Sequence, residues 1–542
     1  MISYHPGLAS GTIGNNRTRQ LNFTDDFAWT IVGHKLKFGA DARLLYLKVA
    51  PAKGVVGYSV PSVQDFLTTG QSDLYATTTL PATILGKAFS LYAQDTWSVN
   101  SRLMLSYGLR WDVSPAPSAQ GNTLLVAWQN LDNPAAIGPA PHGTPLWNTQ
   151  YGNVAPRVGL AYRLAPNGDL VLRAGAGVFY DLGLGAASIV PSYWPNSAFT
   201  FYPGVSLPLS GASSYLPAIS LTPPYSDQVY AFRPDLKLPR SYQWNLAIEK
   251  SFAGKQALSI TYLGQAGRDL LRKEALFQPN SNFSGLFYIT QNDAFSNYNA
   301  LQVQYRRPLS SHLQALVSYS FSHSLDNASN DFLSGLSNTV ISSKNDYASS
   351  DFDVRHSFSG AATWGLPNAS RVPVLSTVTK EWSLSAMVVA RSGFSMNAHV
   401  YLGASALANQ FTRPDLVAGK PVWLSSNEAP GGQALNPAAF AVPTTVRQGT
   451  EGRNDISGFG FAQADLSLTR LFSVGDRFRL QFRADAFNVL NHPNFTNPGG
   501  YIQFGASQYQ STKMLNQGLG GLNPLFQSGG PRSLQLSLKL TF

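Results

Sequence analysis

Leu534-Gln535-Leu536-Ser537-Leu538-Lys539-Leu540-Thr541-Phe542, the last nine residues of the chain, alternate strictly between apolar and polar side chains. Successive side chains of an extended strand point to opposite faces, so the four leucines and Phe542 share one face and the polar residues share the other. Such a strand fits either a soluble β-protein or a membrane β-barrel whose outer face meets lipid. An aromatic residue at the carboxyl terminus of the strand is typical of bacterial outer-membrane barrels. The rest of the chain decides between the two.

The composition of the 542 residues favours a surface that meets lipid. Charged residues make up 13% of the chain, against about 25% in ordinary globular proteins. Aromatic residues make up 12%, and there are 47 glycines. The sequence contains no run of about 18 or more apolar residues, which excludes membrane-spanning helices. Any membrane crossing must therefore be made by strands.

Cysteine content, charge and the N-terminus narrow the function. The chain has no cysteine, which removes disulfides, thiolate zinc sites and iron–sulfur clusters. The net charge is +10, but Lys and Arg are scattered singly, so we expect no nucleic acid as a partner. Residues 1–6 lack both the basic and the apolar segment of a signal peptide. We expect either a protein that is not exported or a chain whose true N-terminus is missing.

The alternating pattern recurs, and its second face repeatedly carries arginine. Phe478, Leu480 and Phe482 alternate with polar residues that include Arg479 and Arg483. The core of a soluble sandwich could not bury unpaired arginines without a severe cost, whereas a watery lumen accepts them. An arginine that faces lipid at the bilayer midplane costs roughly 2–4 kcal/mol. We therefore predict an antiparallel transmembrane β-barrel in which Arg479 and Arg483 face the lumen and the three apolar residues face lipid.

Short turns alternate with long connections along the chain. The predicted turns are Val32-Gly33, Asn100-Ser101, Pro166-Asn167-Gly168, Ala253-Gly254, Ser310-Ser311 and Gly475-Asp476. The long connections, rich in Pro, Gly, Ser and Asn, are 50–86, 113–153, 182–239, 265–296, 325–351, 394–459 and 490–531. Structureless connections of this length are unusual inside a soluble domain. Short periplasmic turns and long extracellular loops are typical of outer-membrane barrels.

Five tryptophans fall near the ends of the predicted strands, where an interfacial aromatic belt would lie. They are Trp97, Trp111, Trp244, Trp364 and Trp382.

The pattern predicts fifteen strands. They are 21–31, 34–48, 87–98, 102–112, 154–165, 169–181, 240–251, 255–264, 297–307, 312–324, 352–365, 380–393, 460–473, 476–489 and 532–542. Single-chain bacterial barrels normally have an even number of strands and both termini on the periplasmic side. Here the first strand already runs toward a short turn, as the last strand does. We expect residues 1–542 to form a single barrel domain that is the C-terminal part of a larger barrel, with an open seam between 21–31 and 532–542.

Several segments resemble the TonB-dependent receptor superfamily, and specifically its Oar-like branch, over nearly the whole chain. The segments are Tyr92–Trp97 with Leu105–Trp111, Tyr298–Val303 with Ser318–Ser322, Asp351–His356, Gly452–Asn454 followed by Asp465–Leu468 and Phe487–Phe495, and Pro531-Arg532 before the last strand. The resemblance implies a barrel of about 22 strands that is closed by an N-terminal plug. Full-length members also carry a signal peptide and a segment that contacts TonB. Neither these nor a plug is recognisable in this sequence.

The resemblance implies uptake of an unknown bulky ligand across the outer membrane of a Gram-negative bacterium. The partners it implies are outer-membrane lipid, lipopolysaccharide and, for the full-length protein, a TonB-type energising complex. Two alternatives remain open. One is a surface-structural or secretion-linked protein, a role also associated with Oar-like proteins, and the other is a passive pore.

The sequence offers no catalytic, cofactor or metal site, and we expect no enzyme. His356 lies near Asp351 and Asp353, a set that could suggest a metal or acid–base cluster. We expect instead that the segment begins a strand whose charges are paired near the membrane surface. No His-x-x-x-His pair and no Gly-x-Ser-x-Gly motif occurs.

Two further motifs lie beside strands and contain turn-forming residues. Gly452-Arg453-Asn454-Asp455 and Asn491-His492-Pro493-Asn494-Phe495 could be ligand sites, but we expect them to fix the geometry of the loops. We nominate no ligand-binding residue from the sequence.

Overall fold

The computed structural model describes residues 8–11, 14–50, 52–59, 67–182, 185–225, 228–252, 256–310, 312–329, 346–367, 380–401, 411–445, 447–475, 477–498, 500 and 529–542. The predicted turn Ala253-Gly254, and Ser311 and Asp476 of two other predicted turns, lie outside the described residues.

Fifteen long strands dominate the structure. They are β1 (Arg17–Ile31), β2 (His34–Val49), β3 (Ala82–Ser98), β4 (Leu103–Val113), β5 (Val154–Arg163), β6 (Leu170–Tyr180), β7 (Arg240–Phe252), β8 (Gln256–Phe277), β9 (Leu286–Ser310), β10 (Leu313–Asp326), β11 (His356–Gly365), β12 (Trp382–Arg391), β13 (Phe461–Val474), β14 (Phe478–Phe487) and β15 (Ser533–Thr541).

The fifteen strands form one antiparallel meander in which each strand pairs with the next one in the chain. All fifteen predicted strands are therefore present. Three short strands, Ser118–Gln120, Val229–Phe232 and Ala348–Ser349, complete an 18-stranded sheet. Val229–Phe232 pairs in parallel with β9, which is an exception to the antiparallel pattern.

The first and last strands of the meander each pair on one side only. β1 pairs with β2 and β15 pairs with β14, and no pairing joins β1 to β15 among the described strands. Nearly all residues of both edge strands are exposed. β1 and β15 also run in the same direction, since both lead toward the end of the sheet that carries the short turns. The predicted seam is present in the structure.

The strand register separates a polar from an apolar face. Arg479 lies opposite Thr541 and Arg483 lies opposite Ser537, so both arginines share the polar face of the sheet. Phe482 lies opposite Leu538 on the other face. That apolar face is exposed along the meander; Leu538, for example, is 66% exposed. Because only lipid can cover so continuous an apolar band, the apolar face is the outside of the barrel, as predicted.

Arg470 is an exception to this separation of polar and apolar side chains. It follows Leu466 and Leu468 at intervals of two residues along β13 and therefore lies with them on the outer face. Its guanidinium lies 5.4 Å from the ring centroid of Trp382 and 4.1 Å from that of Phe472. Arg470 lies opposite Trp382, the first residue of β12, and therefore near the short-turn end of both strands. An arginine near a strand end can extend its charged group to the membrane surface while its stem covers apolar neighbours.

The five predicted tryptophans lie toward the ends of strands. Trp97, Trp364 and Trp382 lie at the short-turn end, whereas Trp111 and Trp244 lie at the opposite end. Exposed fractions of 36% for Trp97, 38% for Trp244 and 45% for Trp364 leave these rings open to the membrane. The positions agree with two interfacial belts.

Within the described residues, much of the sequence predicted as structureless connections is folded, which corrects the sequence analysis; other parts of these connections, such as 330–345 and 501–528, lie outside the described residues. Most of 265–296 is a continuation of the β8–β9 hairpin, with a bulge after Gly267. The alternating pattern fails there because adjacent residues are both charged, as at Arg268-Asp269, or both apolar, as at Leu270-Leu271. Once strands leave the lipid, neither face needs to be apolar, so period-2 alternation no longer marks them.

Other loops carry small sheets of their own. Leu8–Gly11, Gly54–Ser59, Gln71–Thr79 and Ser197–Ser206 form a four-stranded sheet. Two-stranded pairings join Trp128–Gln129 to Gly138–Pro139, Ser395–Met396 to Ile456–Ser457, Val400–Tyr401 to Phe411–Thr412, Asp415–Leu416 to Phe440–Ala441, and Trp423–Ser425 to Gln433–Leu435. Strands of two or three residues are too short to show a period of two.

The described part of the loops contains short 3₁₀ helices of three to seven residues, namely Pro134–Ala136, Ala186–Ser192, Ala212–Tyr215, Pro430–Gly432 and Pro437–Ala439. Within the described ranges, no helix has the length and apolarity needed to cross a membrane.

Candidate functional site: the polar lumen wall and the long-loop end

The polar face of β2, β3 and β4 carries a network of paired charges. Asp41 and Asp112 are 6% and 3% exposed. Arg110 lies between them, with its Nε 2.9 Å from an oxygen of Asp112 and its Nη2 3.6 Å from an oxygen of Asp41. Arg43 pairs with Asp41 at 2.6 Å, and Ser90 donates a hydrogen bond to Asp112 at 2.6 Å. These charges compensate one another, so the wall is polar and wettable.

A concave region of about 570 Å³ opens beside this network. Its polar lining comes from five neighbouring strands and includes Asp26, Lys37, Asp41, Tyr92, Gln94, Ser106, Arg110 and Arg157. Charges of both signs, several hydroxyl groups and the amide of Gln94 suit a polar ligand or a polar segment of protein inside the barrel.

Arg453 joins two loops at the long-loop end of the barrel. Its side chain is 6% exposed, and its Nη1 lies 2.8 Å from Asp326 Oδ1. Nη2 donates to Ser329 Oγ at 2.6 Å and lies 3.3 Å from Asp351 Oδ1. Asn454 adds a hydrogen bond from its amide nitrogen to Asp351 Oδ1 at 2.7 Å. The Gly452–Asp455 motif therefore fixes loop geometry, as predicted. We call this group the Arg453 clasp.

A second set of buried charges lies next to the Arg453 clasp. Asp346 accepts from Arg272 at 2.7 Å and from Arg413 at 3.0 Å. Arg413 also donates from Nε to the carbonyl oxygen of Glu451 at 3.1 Å. Residues from three separate parts of the chain are thus held together, because each charge would be costly to bury without its partner.

Glu451 is another buried carboxyl group of this region, with 2% of the residue exposed. Its Oε1 accepts the backbone N–H of Ala398 at 3.1 Å, and its Oε2 has no hydrogen-bond donor within the described part of the chain. Burial raises the pKa of Glu451 to about 7, against a smaller opposing effect of Arg413. Burial and the charge of Arg413 lower the pKa of the neighbouring His399.

Aromatic side chains hold the loops between β4 and β9 together. Trp128 is 3% exposed, and its ring centroid lies 5.4 Å from that of Trp194 and 5.2 Å from that of Phe287. Phe283 and Tyr225 complete the cluster. These loops therefore have a hydrophobic core of their own above the barrel.

The structure does not bring His356, Asp351 and Asp353 together as a site. Asp353 pairs with His323 at 3.1 Å and with Arg355 at 3.3 Å. His356 contacts the hydroxyl of Tyr319 at 2.8 Å, and Asp351 belongs to the Arg453 clasp. The charges are paired at the start of a strand, as the sequence analysis expected. Nowhere in the described residues do three His, Asp or Glu side chains lie close enough to hold a metal ion.

The second loop motif also acts through hydrogen bonds to the backbone. The amide group of Asn494 accepts from the backbone N–H of Ala462 at 2.8 Å and donates to its carbonyl at 3.0 Å. Asn488, just before the motif, donates to the carbonyl oxygens of His492 and Gly530 at 2.8 Å. The motif holds the loop that follows β14 against β13.

Sequence reasoning missed the pairing of Asp346, Arg272 and Arg413. The three residues lie far apart in the chain and belong to no motif. The only local signal was Arg453 in a glycine- and asparagine-rich turn.

The family of outer membrane beta barrel domains matches residues 4–525. Curated protein sequences give no match. The ferripyoverdine receptor of the Pseudomonas aeruginosa outer membrane, bound to ferripyoverdine, is 10% identical, with a TM-score of 0.44, and the alignment covers 97% of this chain and 54% of that chain. The copper transporter OprC is 12% identical, with a TM-score of 0.47 and coverage of 97% and 57%. The outer membrane transporter YddB from Escherichia coli is 9% identical, with a TM-score of 0.44 and coverage of 97% and 62%.

The chain thus spans somewhat more than half of the length of these structures. The family match extends over most of the sequence, and the meander, the polar lumen wall and the apolar outer face agree with it. This chain belongs to the family of outer membrane beta barrel domains.

Proposed function

We propose that this chain is the barrel of a TonB-dependent receptor that takes up a bulky ligand across the outer membrane of a Gram-negative bacterium. In the full-length protein a TonB-type complex would supply the energy. The Oar-like resemblance of Tyr92–Trp97, Asp351–His356 and Gly452–Asn454 supports this proposal. The barrel would lie among outer-membrane lipid and lipopolysaccharide.

One observation carries the proposal. The loops above the polar lumen are folded and joined to one another by the buried Arg453 clasp and by the pairs of Asp346. A receptor needs an entrance of fixed shape to recognise a ligand, because pre-organised contacts cost less entropy on binding. A passive pore needs only an open lumen, and buried ion pairs between the loops at its entrance would not increase the rate of diffusion through it.

We also propose that the protein is not an enzyme. The carboxylates of the lumen wall, Asp41 and Asp112, are engaged by arginines at 2.6 Å and 2.9 Å. A general base held in such pairs is a weak proton acceptor, because the neighbouring positive charge stabilises its ionised form.

The test uses the full-length protein purified from outer membranes and reconstituted in liposomes. A receptor predicts no swelling of the liposomes in arabinose and binding of the purified periplasmic domain of TonB. Rapid swelling in arabinose would favour a passive pore. A protein that neither admits arabinose nor binds TonB would favour the surface-structural or secretion-linked role.

A further inference from the structure

A second pocket, of about 570 Å³, lies at the long-loop end of β12 and β13. Arg391, the last residue of β12, is paired in register with Phe461, the first residue of β13. Residues two apart in a strand share a face. Arg391 and Phe461 therefore lie on the same face as the pair Val389 and Gln463 and as Asp465, which is the polar face of the sheet. Loop residues complete the lining: Gly431, Gly432, Phe459, His492, Pro493 and Phe495.

The guanidinium of Arg391 has aromatic neighbours instead of an acidic partner. It lies 4.1 Å from the ring centroid of Phe394 and 5.7 Å from that of Phe461. Its Nη1 donates to the carbonyl oxygen of Ser392 at 3.2 Å. Within the described residues no carboxylate comes within 4.0 Å of it, whereas Arg413 and Arg453 at the same end of the barrel are both ion-paired. Arg391 therefore presents to the pocket a positive charge that no carboxylate in the described part of the chain compensates.

Aromatic side chains form part of the pocket lining. The ring of Phe459 lies 5.7 Å from that of Trp423 and 6.1 Å from that of Phe495. Gly431 has a φ of +76°, and a Cβ at this position would lie only 2.6 Å from Cε1 of Phe459. A glycine is required there both by the left-handed backbone and by the close approach of the ring. At Gly432 a Cβ would meet no atom within 4 Å, so the pocket is open on that side.

We propose that this pocket binds an organic anion that carries a flat apolar ring. The planar guanidinium of Arg391 would pair with a carboxylate through two parallel hydrogen bonds, a geometry that arginine favours. Phe459, Phe461 and Phe495 would contact the ring, since aromatic groups prefer offset or edge-to-face arrangements. A volume of about 570 Å³ falls within the usual range of small-ligand sites. The assignment deepens the proposed receptor function and rests on it for its biological meaning.

The test measures the equilibrium binding of 2-naphthoate to the full-length protein in detergent micelles. The fluorescence of 2-naphthoate reports the binding. Acetate supplies the anion without the ring, and 2-naphthalenemethanol supplies the ring without the charge. We expect both to bind at least about tenfold more weakly than 2-naphthoate, because acetate lacks the ring contacts and the alcohol lacks the charge-assisted hydrogen bonds to Arg391. Arg391→Met should weaken 2-naphthoate to the level of the alcohol and leave the alcohol unchanged. Arg391→Lys should give an intermediate affinity.

Arg483→Met is the matched control, because Arg483 lies on the same polar face but is paired with Asp485 at 2.8 Å and is outside the pocket. It should leave the affinity for 2-naphthoate unchanged. Retained heat-modifiable gel mobility shows that each variant is folded. If folded Arg391→Met binds 2-naphthoate as well as the unsubstituted protein does, or if the alcohol binds as tightly as the anion, the assignment is wrong. Binding in micelles needs neither TonB nor transport, so a protein that binds 2-naphthoate but fails the TonB test contradicts the receptor function alone.

Discussion

Arginines at the long-loop end differ in how deeply their side chains are buried. Arg453 is 6% exposed and its partner Asp326 is 3% exposed, whereas Arg447 is 42% exposed in its pair with Asp415. Removing one member of a buried pair leaves an uncompensated charge, whereas an exposed pair is replaced by water. The two sites therefore respond very differently to the same substitution.

Arg453→Ala should destabilise the loop assembly by about 3–5 kcal/mol, because Asp326 stays buried without its partner. Pulse proteolysis in a urea series gives the free energy of unfolding of the loops. Arg447→Ala is the control and should shift the midpoint only slightly. Equal shifts for both variants would mean that the Arg453 clasp does not hold the loops.

Glu451 makes the loop assembly sensitive to pH. Its pKa in the folded protein is raised to about 7 from the ordinary value of 4.5, so between these two values the folded state binds more protons than the unfolded state. Stability is therefore highest at low pH within this window and falls as the pH rises toward 7. Arg413 and Asp455 act on the same carboxyl group in opposite directions.

We expect the loops between β12 and β13 to become more protease-sensitive as the pH rises from 5 to 7, and the change to level off above pH 7. Glu451→Gln should remove most of this change, because the amide carries no charge at any of these pH values. Glu428→Gln, at an exposed position, is the control and should preserve the change. A pH profile that Glu451→Gln leaves intact would assign the effect to another group.

At the scale of elements, the strands are longer than the membrane requires. β8 has 22 residues and β9 has 25, and at about 3.3 Å per residue each exceeds 70 Å. A hydrocarbon core of about 30 Å needs only about 9–11 residues of tilted strand. The upper half of this hairpin therefore stands outside the membrane and packs against the aromatic cluster of Trp128 and Phe287.

Phe287→Ala should unfold this cluster and leave the barrel in place. Phe287 is fully buried, and truncating a buried phenylalanine costs about 3–5 kcal/mol. We expect loss of the near-ultraviolet circular dichroism of the aromatic cluster while heat-modifiable gel mobility is retained. Phe201→Ala, at a residue that is 53% exposed, should change neither signal. Loss of gel mobility in Phe287→Ala would show that the cluster supports the barrel itself.

The strands inside the membrane were predictable from the sequence, but the elements outside it were not. In β14 and β15, lipid on one side and water on the other impose a period of two that Phe478–Phe487 and the last nine residues show directly. In β8 that constraint ends near Gly267, and the alternation ends with it. The pairs of Asp346 with Arg272 and Arg413 depend on contacts across the chain, which a local pattern does not encode.

At the scale of the whole molecule, the two edges of the sheet run in the same direction. An antiparallel barrel can close between them only through an odd number of further strands. We propose that other segments of a longer polypeptide supply these strands, so that residues 1–542 form one part of a larger barrel. Unpaired edges in lipid cost several kcal/mol for each unsatisfied backbone group.

Residues 1–542 expressed alone should consequently aggregate or fail to insert stably into detergent micelles or lipid. Gel mobility before and after heating measures this, with the full-length protein as the control. A compact, heat-modifiable form of residues 1–542 with β1 sealed against β15 would contradict the proposal.

The most direct test of the barrel is the chemical accessibility of alternate residues along β14 in native outer membranes. The 542 residues contain no cysteine, so single cysteines can be introduced at Leu480, Phe482, Arg479 and Arg483 without background from this chain. A small, charged methanethiosulfonate reagent reacts only with thiols that contact water. The account predicts rapid reaction at Arg479→Cys and Arg483→Cys and protection at Leu480→Cys and Phe482→Cys. Equal reactivity at all four positions, or protection at the arginine positions alone, would contradict a barrel with a polar lumen and an apolar outer face.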